Sequence, residues 1–209
     1  EKPASSEQTH ESICPYKGLE FFDCQGEDPK YFFGRTALTD KLLERVWEDN
    51  FLIVTGASGS GKSSVVRAGL LYQLNLGLRR SGTDQWNTYI LRPGNSSSRS
   101  KSPLRNLAKA LVDHKQSQVD RATQRAKVEK LLEEEGGRGL GRLIDEAEAQ
   151  RVVLVVDQFE EIFSPWVDEI ERQRFINCLL DATDYSDGKL CLVLVLRLDF
   201  ISQRMEQDY

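Results

Sequence analysis

The chain has 209 residues, 39% of them hydrophobic and 29% charged, with 33 acidic against 28 basic side chains and a net charge of −5. This balance fits a globular fold with a sizeable core, as one domain with appendages. It argues against a surface built to coat nucleic acid or anionic membrane, and no apolar run reaches the roughly 18 residues of a membrane span.

Glu1 to Glu11 is polar, starts without Met and has no apolar signal core, so a piece of a longer cytoplasmic protein is expected. Residues 1–12 read as a disordered tail and 13–209 as one domain. Ile13 to Phe33 is irregular and aromatic, broken by Pro15, Gly18, Gly26 and Pro29. It reads either as core cover or, at its Phe33-Gly34-Arg35 end, as the border of a nucleobase. Thr36 to Asp49 is an amphipathic helix, with Leu38, Leu42, Leu43, Val46 and Trp47 at helical spacing.

Phe51 to Thr55 reads as a strand, and it runs straight into Gly56-Ala57-Ser58-Gly59-Ser60-Gly61-Lys62-Ser63, followed by the helix-compatible run from Ser64, with the helix spanning about Lys62 to Leu76. The spacing G-x-x-x-x-G-K-S, between a strand and a helix, is that of a phosphate-binding loop. Its glycines let successive N–H groups turn toward an anion, and the helix N-terminus faces the same charge. Lys62 suits the β- and γ-phosphates, and the Ser63 hydroxyl suits one position on Mg²⁺. A glycine-rich turn that binds nothing is the bland alternative.

A polar connection over 78–87 leads to a strand at Thr88 to Arg92, closed by Pro93-Gly94. Asn95 to Ser102 is a Ser-rich, basic loop. Helices are expected from Pro103 to about Asp113, over 119–135, and around Leu140 to Ala147 after a break at Gly136-Gly137. Val152 to Val156 is a strand buried on both faces, with Asp157 at its tip. A helix over 168–182, a turn at Asp187-Gly188 and a strand from Leu190 to Leu196 follow; Arg197 ends that strand and a helix begins near Phe200. Such βα alternation implies a mainly parallel sheet with right-handed crossovers.

A carboxylate at the tip of an apolar strand can hold Mg²⁺, so Asp157 is the natural partner of the loop; a strand-terminal cap is the alternative. Hydrolysis needs a group that positions water. Gln158 stands where many ATPases carry a Glu, leaving Glu160 as first candidate and Glu161 as second, against a solvated acidic turn. Arg197 could reach a γ-phosphate, or pair with Asp199 or Asp157. Cys178 and Cys191 fall in core-like runs, and Cys14 and Cys24 read as free thiols or a pair.

Taken together, Cys14-Pro-Tyr-Lys-Gly-Leu19, Phe32-Phe-Gly-Arg35, the loop, Val66-Arg-Ala-Gly-Leu70, Leu91-Arg-Pro-Gly94, Val156-Asp-Gln-Phe-Glu-Glu161 and Leu196-Arg-Leu-Asp-Phe200 resemble the STAND class of P-loop NTPases, in particular the bacterial novel STAND group. The resemblance implies a three-layer α/β/α sheet of ASCE type, order 1-4-3-2 by appearance, with a fifth strand and a winged helix that would lie past this chain. It implies Gly34 and Arg35 near adenine and ribose, Asp157 as Walker B acid and Arg197 as sensor arginine. It also implies ATP or ADP with Mg²⁺, other domains such as a β-propeller sensor and an effector, and self-oligomerisation on activation. The competing functions are a slow ATPase switch and a nucleotide-binding scaffold without turnover. A small-molecule kinase lacks a visible acceptor pocket, and a nucleic-acid motor is disfavoured by the acidic balance.

Overall fold

The computed structural model describes residues 20–76, 86–94, 102–112 and 117–200. The expected tail at 1–12, Cys14 to Leu19, most of the 78–87 connection and the 95–102 loop lie outside them. Helix α1 (Thr36–Glu48) precedes strand β1 (Phe51–Gly56), and α2 follows the loop in three continuous pieces, Lys62–Ser64, Val65–Leu71 and Tyr72–Leu76. Then come β2 (Trp86–Leu91), α3 (Pro103–Ala110), α4 (Gln118–Glu146), β3 (Arg151–Asp157), α5 (Glu169–Tyr185) and β4 (Leu190–Arg197). No helix among the described residues is long and apolar enough to cross a membrane.

The four strands form one parallel sheet in the order β1-β4-β3-β2. That is the expected order, and its cause is visible in the sequence. β3 and β4 are continuous runs of Val, Leu and Cys, and they take the two central places, where both faces are covered. Alternate residues feed opposite layers. Val152, Leu154, Val156, Leu192 and Leu194 pack with α3, α4 and α5, through Leu107, Leu140, Ile144 and Phe175. Val153, Val155, Cys191, Val193 and Val195 pack on the other face, with Leu43 and Val46 of α1 and Val66 and Leu70 of α2. Each such buried side chain contributes about 1.5–3 kcal/mol.

Three details depart from expectation. β1 is an edge strand and its exposure alternates, leaving Phe51 40% and Ile53 54% exposed. Leu38, expected in the apolar stripe of α1, is exposed as well. The middle of α2 is π-helical, with the Tyr72 N–H reaching the Arg67 carbonyl. Periodicity cannot reveal such a widened turn, which recurs at functional sites. The break in α4 falls where the glycine pair stands: Gly136 has φ 57° and ψ −131° inside an otherwise helical run.

Candidate functional site

The site is built at the C-terminal end of the sheet. In the parallel register Asp157 of β3 lies beside Val195, and Gly56 of β1 lies beside Arg197. Strand ends of β1, β3 and β4 therefore converge on the loop between β1 and α2. Open α/β sheets bind ligands at this edge. Gly59 and Gly61 have φ of +72° and +84°, a region L side chains rarely adopt. The Ser60 N–H donates to the Ala57 carbonyl and the Val65 N–H to the Gly61 carbonyl, and the residues between them, Gly61 to Ser64, form the helix N-terminus that lines the site.

A cavity of about 900 Å³ opens in front of this loop. Of the expected site residues, Ser58, Gly59, Gly61, Lys62, Ser63, Ser64, Asp157, Glu160 and Arg197 line it. Gly56, Ala57 and Ser60 are not among its lining residues; a Cβ on Gly56 would stand 3.0 Å from Ser60 Oγ. Lys62 Nζ donates to the carbonyls of Gly56 and Ala57, at 2.9 and 2.7 Å.

Asp157 is 1% exposed, and its two oxygens face different chemistry. Oδ1 accepts from Ser63 Oγ at 2.8 Å. Oδ2 accepts from Arg67 Nε at 3.2 Å and from Arg92 Nε and Nη2, both at 3.3 Å. A buried carboxylate needs such partners, since a lone charge in the interior is strongly disfavoured. The hydroxyl and Oδ1 side forms a hard-oxygen donor set that fits Mg²⁺, which otherwise keeps waters and phosphate oxygens.

The two acidic candidates separate. Both lie on the short helical turn Phe159–Phe163. Glu161 Oε2 accepts from the Gly94 N–H at 3.0 Å and is committed to holding the end of β2. Burial pushes the Glu161 carboxyl above its usual range, and the Gly94 bond pulls partly against this. Glu160 lines the cavity, and its Oε2 is buried with no hydrogen-bond partner. Gln158, between Asp157 and this turn, has φ 56° and ψ 50°, a strained backbone for a residue with a side chain.

Arg197 makes the bland pairing. Its guanidinium donates to both Asp199 oxygens, Nε to Oδ1 at 3.1 Å and Nη2 to Oδ2. The pair is exposed, and Asp199 is held below the usual carboxylate range by the Arg197 hydrogen bonds. Phe33 is 78% exposed and Gly34 has φ +80°, while Arg35 Nη2 donates to the Ser60 carbonyl at 3.3 Å. None of the three lines the cavity, and Arg35 meets the loop through that bond. Cys24, Cys178 and Cys191 are free thiols, and Cys14 is outside the described residues.

Sequence reasoning missed one wall altogether. Glu20, Phe21, Phe22, Asp23 and Asp28 line the cavity, from the segment before α1. The Phe22 N–H donates to Ser64 Oγ at 3.1 Å, and Phe22 packs on Phe32. Arg67 bridges Asp157 to Asp23, at 3.5 Å from the latter. The Phe21 ring meets the Arg67 guanidinium at 4.3 Å and that of Arg92 at 4.9 Å. The signal was the crowding of aromatics before Thr36 and an arginine at the tip of β2, the same position that singled out Asp157 and Arg197.

A parallel 1-4-3-2 sheet carrying this loop between its edge strand and the following helix defines a P-loop NTPase fold. The family model described as Novel STAND NTPase 1 matches residues 15–209, and the chain belongs to that family. No curated protein matches the chain.

Proposed function

We propose that this domain binds Mg²⁺ and ATP or ADP and hydrolyses ATP slowly, as a nucleotide-dependent switch within a larger protein. The observation that carries the reading is the 2.8 Å contact of Ser63 Oγ with Asp157 Oδ1, at the floor of the cavity and directly after the loop. Ser63 and Asp157 Oδ1 would hold Mg²⁺, which supplies neutralisation of phosphate charge when bound. Lys62 would leave the Gly56 and Ala57 carbonyls for the phosphates, and the α2 N-terminus faces the same anion.

Glu160 is the group that positions water in this reading. Its buried, unpartnered oxygen lines the cavity, whereas Glu161 is already spent on Gly94. Arg197 stands at the cavity mouth and would exchange Asp199 for phosphate oxygens. Adenine as the base, with Phe33, Gly34 and Arg35 beside it, follows the family. So do a multidomain setting, self-oligomerisation and a cytoplasmic location, which suits three free thiols.

A second reading, a scaffold that binds without turnover, is favoured by Gln158 standing directly after Asp157 in a strained conformation. Phosphate release by the intact protein, with Mg²⁺ and with excess chelator, separates the two. The switch reading expects slow, Mg²⁺-dependent release that falls by about 100-fold or more in Glu160→Gln. Tight nucleotide binding with no release at any Mg²⁺ concentration would establish the scaffold instead.

A further inference from the structure

Asp157 Oδ2 serves two arginines, and they are not equivalent. Arg67 has a second acid, Asp23, and its side chain is 11% exposed. Arg92 forms its ion pair with Asp157, also acts on the nearby Glu161 charge, is 29% exposed and lines the cavity. A phosphate entering the cavity therefore meets Arg92 as the cation whose claim on Asp157 is shared and whose guanidinium is within reach. The planar fork of arginine matches phosphate oxygens in pairs.

Arg92 also has a mechanical neighbour. Its guanidinium lies over the ring of Phe21, which Arg67 flanks as well. Phe21 belongs to the segment that forms a wall of the cavity and ties to Ser64 at the start of α2. A shift of Arg92 changes one of the cationic contacts of that ring.

We propose that Arg92 is the positioning residue by which this site tells a nucleoside triphosphate from a diphosphate and passes the difference to the segment before α1. The extra terminal phosphate recruits Arg92 from Asp157 Oδ2, Arg67 remains on the carboxylate, and Phe21 reseats against the changed pair. The proposal rests on the nucleotide reading above. It adds a second reporter of phosphate number, on β2 rather than on β4, with its own output segment.

The test uses the intact protein. Hydrogen exchange of the amides in residues 20–28 is followed with Mg²⁺ alone, with Mg²⁺ and ADP, and with Mg²⁺ and a non-hydrolysable ATP analogue. Calorimetry gives the two nucleotide affinities. We expect exchange in 20–28 to respond to the triphosphate and not to the diphosphate. Arg92→Ala should weaken triphosphate binding about tenfold and diphosphate binding less than about twofold, and should remove the exchange response. Arg92→Lys, which keeps the charge and loses the fork, should fall between. Equal loss of both nucleotides in Arg92→Ala would mark a structural role and overturn the proposal. So would a wild-type segment that answers both nucleotides alike, a comparison that holds even if Arg92→Ala fails to fold. Lys62→Ala keeps the two readings apart. If it leaves nucleotide binding intact, the phosphate-site reading fails. If it abolishes binding while Arg92→Ala changes neither affinity ratio nor exchange, only the role of Arg92 fails.

Discussion

Asp157 and Arg197 make an instructive pair. Both stand at the C-terminal ends of buried, neighbouring parallel strands, with Arg197 two positions further along the shared register, about 7 Å on. Asp157 is sealed, with a hydroxyl on one oxygen and two guanidinium groups on the other. Arg197 is exposed and, among the described residues, hydrogen-bonded to Asp199, two residues away. Strand-end position brings a charged side chain to the site. What packs over it decides how many partners hold the charge and how many remain when one of them is exchanged.

The largest effect should come from breaking the sealed member. Asp157→Ala leaves the mostly buried Arg67 with Asp23 alone and takes the carboxylate from the part-exposed Arg92, and should cost about 1.5–3 kcal/mol of folding stability. Arg197→Ala should leave the thermal midpoint unchanged, because its pair is exposed. Denaturant titrations of both variants check this contrast. Equal destabilisation would dissolve it.

The same contrast recurs one residue apart in Glu160 and Glu161, and a smaller effect sharpens it. The folded-state pKa of Glu161 lies above its ordinary value of 4.5, mainly through burial. A raised carboxylate contributes stability that is present below the unfolded pKa and is lost as pH rises through the folded one. Glu161→Gln removes that titration while keeping an acceptor for the Gly94 N–H. Its stability relative to wild type should therefore improve as pH rises from about 4.5 toward neutrality. Thermal midpoints against pH read this directly, and a Glu160→Gln variant serves as the comparison.

The mildest expectation concerns the thiols. Burial pushes Cys178 up to about 12 and Cys191 up to about 11. Neither should be alkylated by a thiolate-selective reagent at neutral pH in the native protein, and both should react once it is unfolded. Peptide mapping after brief labelling gives the result.

Much of this was legible in the chain. The loop at Gly56 to Ser63, the tip position of Asp157 and the doubly buried runs of β3 and β4 each carry a local signature, whereas the sheet order was implied by the resemblance to STAND NTPases and is the one observed. Exposure of Phe51 and Ile53 was hidden, because an apolar strand reads the same at an edge as at the centre. The partners of Asp157 were hidden for another reason. Arg67 lies 90 residues from it and Arg92 65, and ion pairing across such distances depends on which strands become neighbours. The wall from Glu20 to Asp28 leaves only an aromatic crowding in sequence, with no periodicity to assign it a face.

The most direct test of the central claim is calorimetric titration of the intact protein with ATP and with ADP in the presence of Mg²⁺, beside Lys62→Ala. The account predicts saturable adenine-nucleotide binding that weakens by about 100-fold in the variant, as expected when a charge-assisted phosphate contact and its positioning are lost. A folded wild-type protein that binds neither nucleotide, or a Lys62→Ala variant that binds as well as wild type, would contradict it.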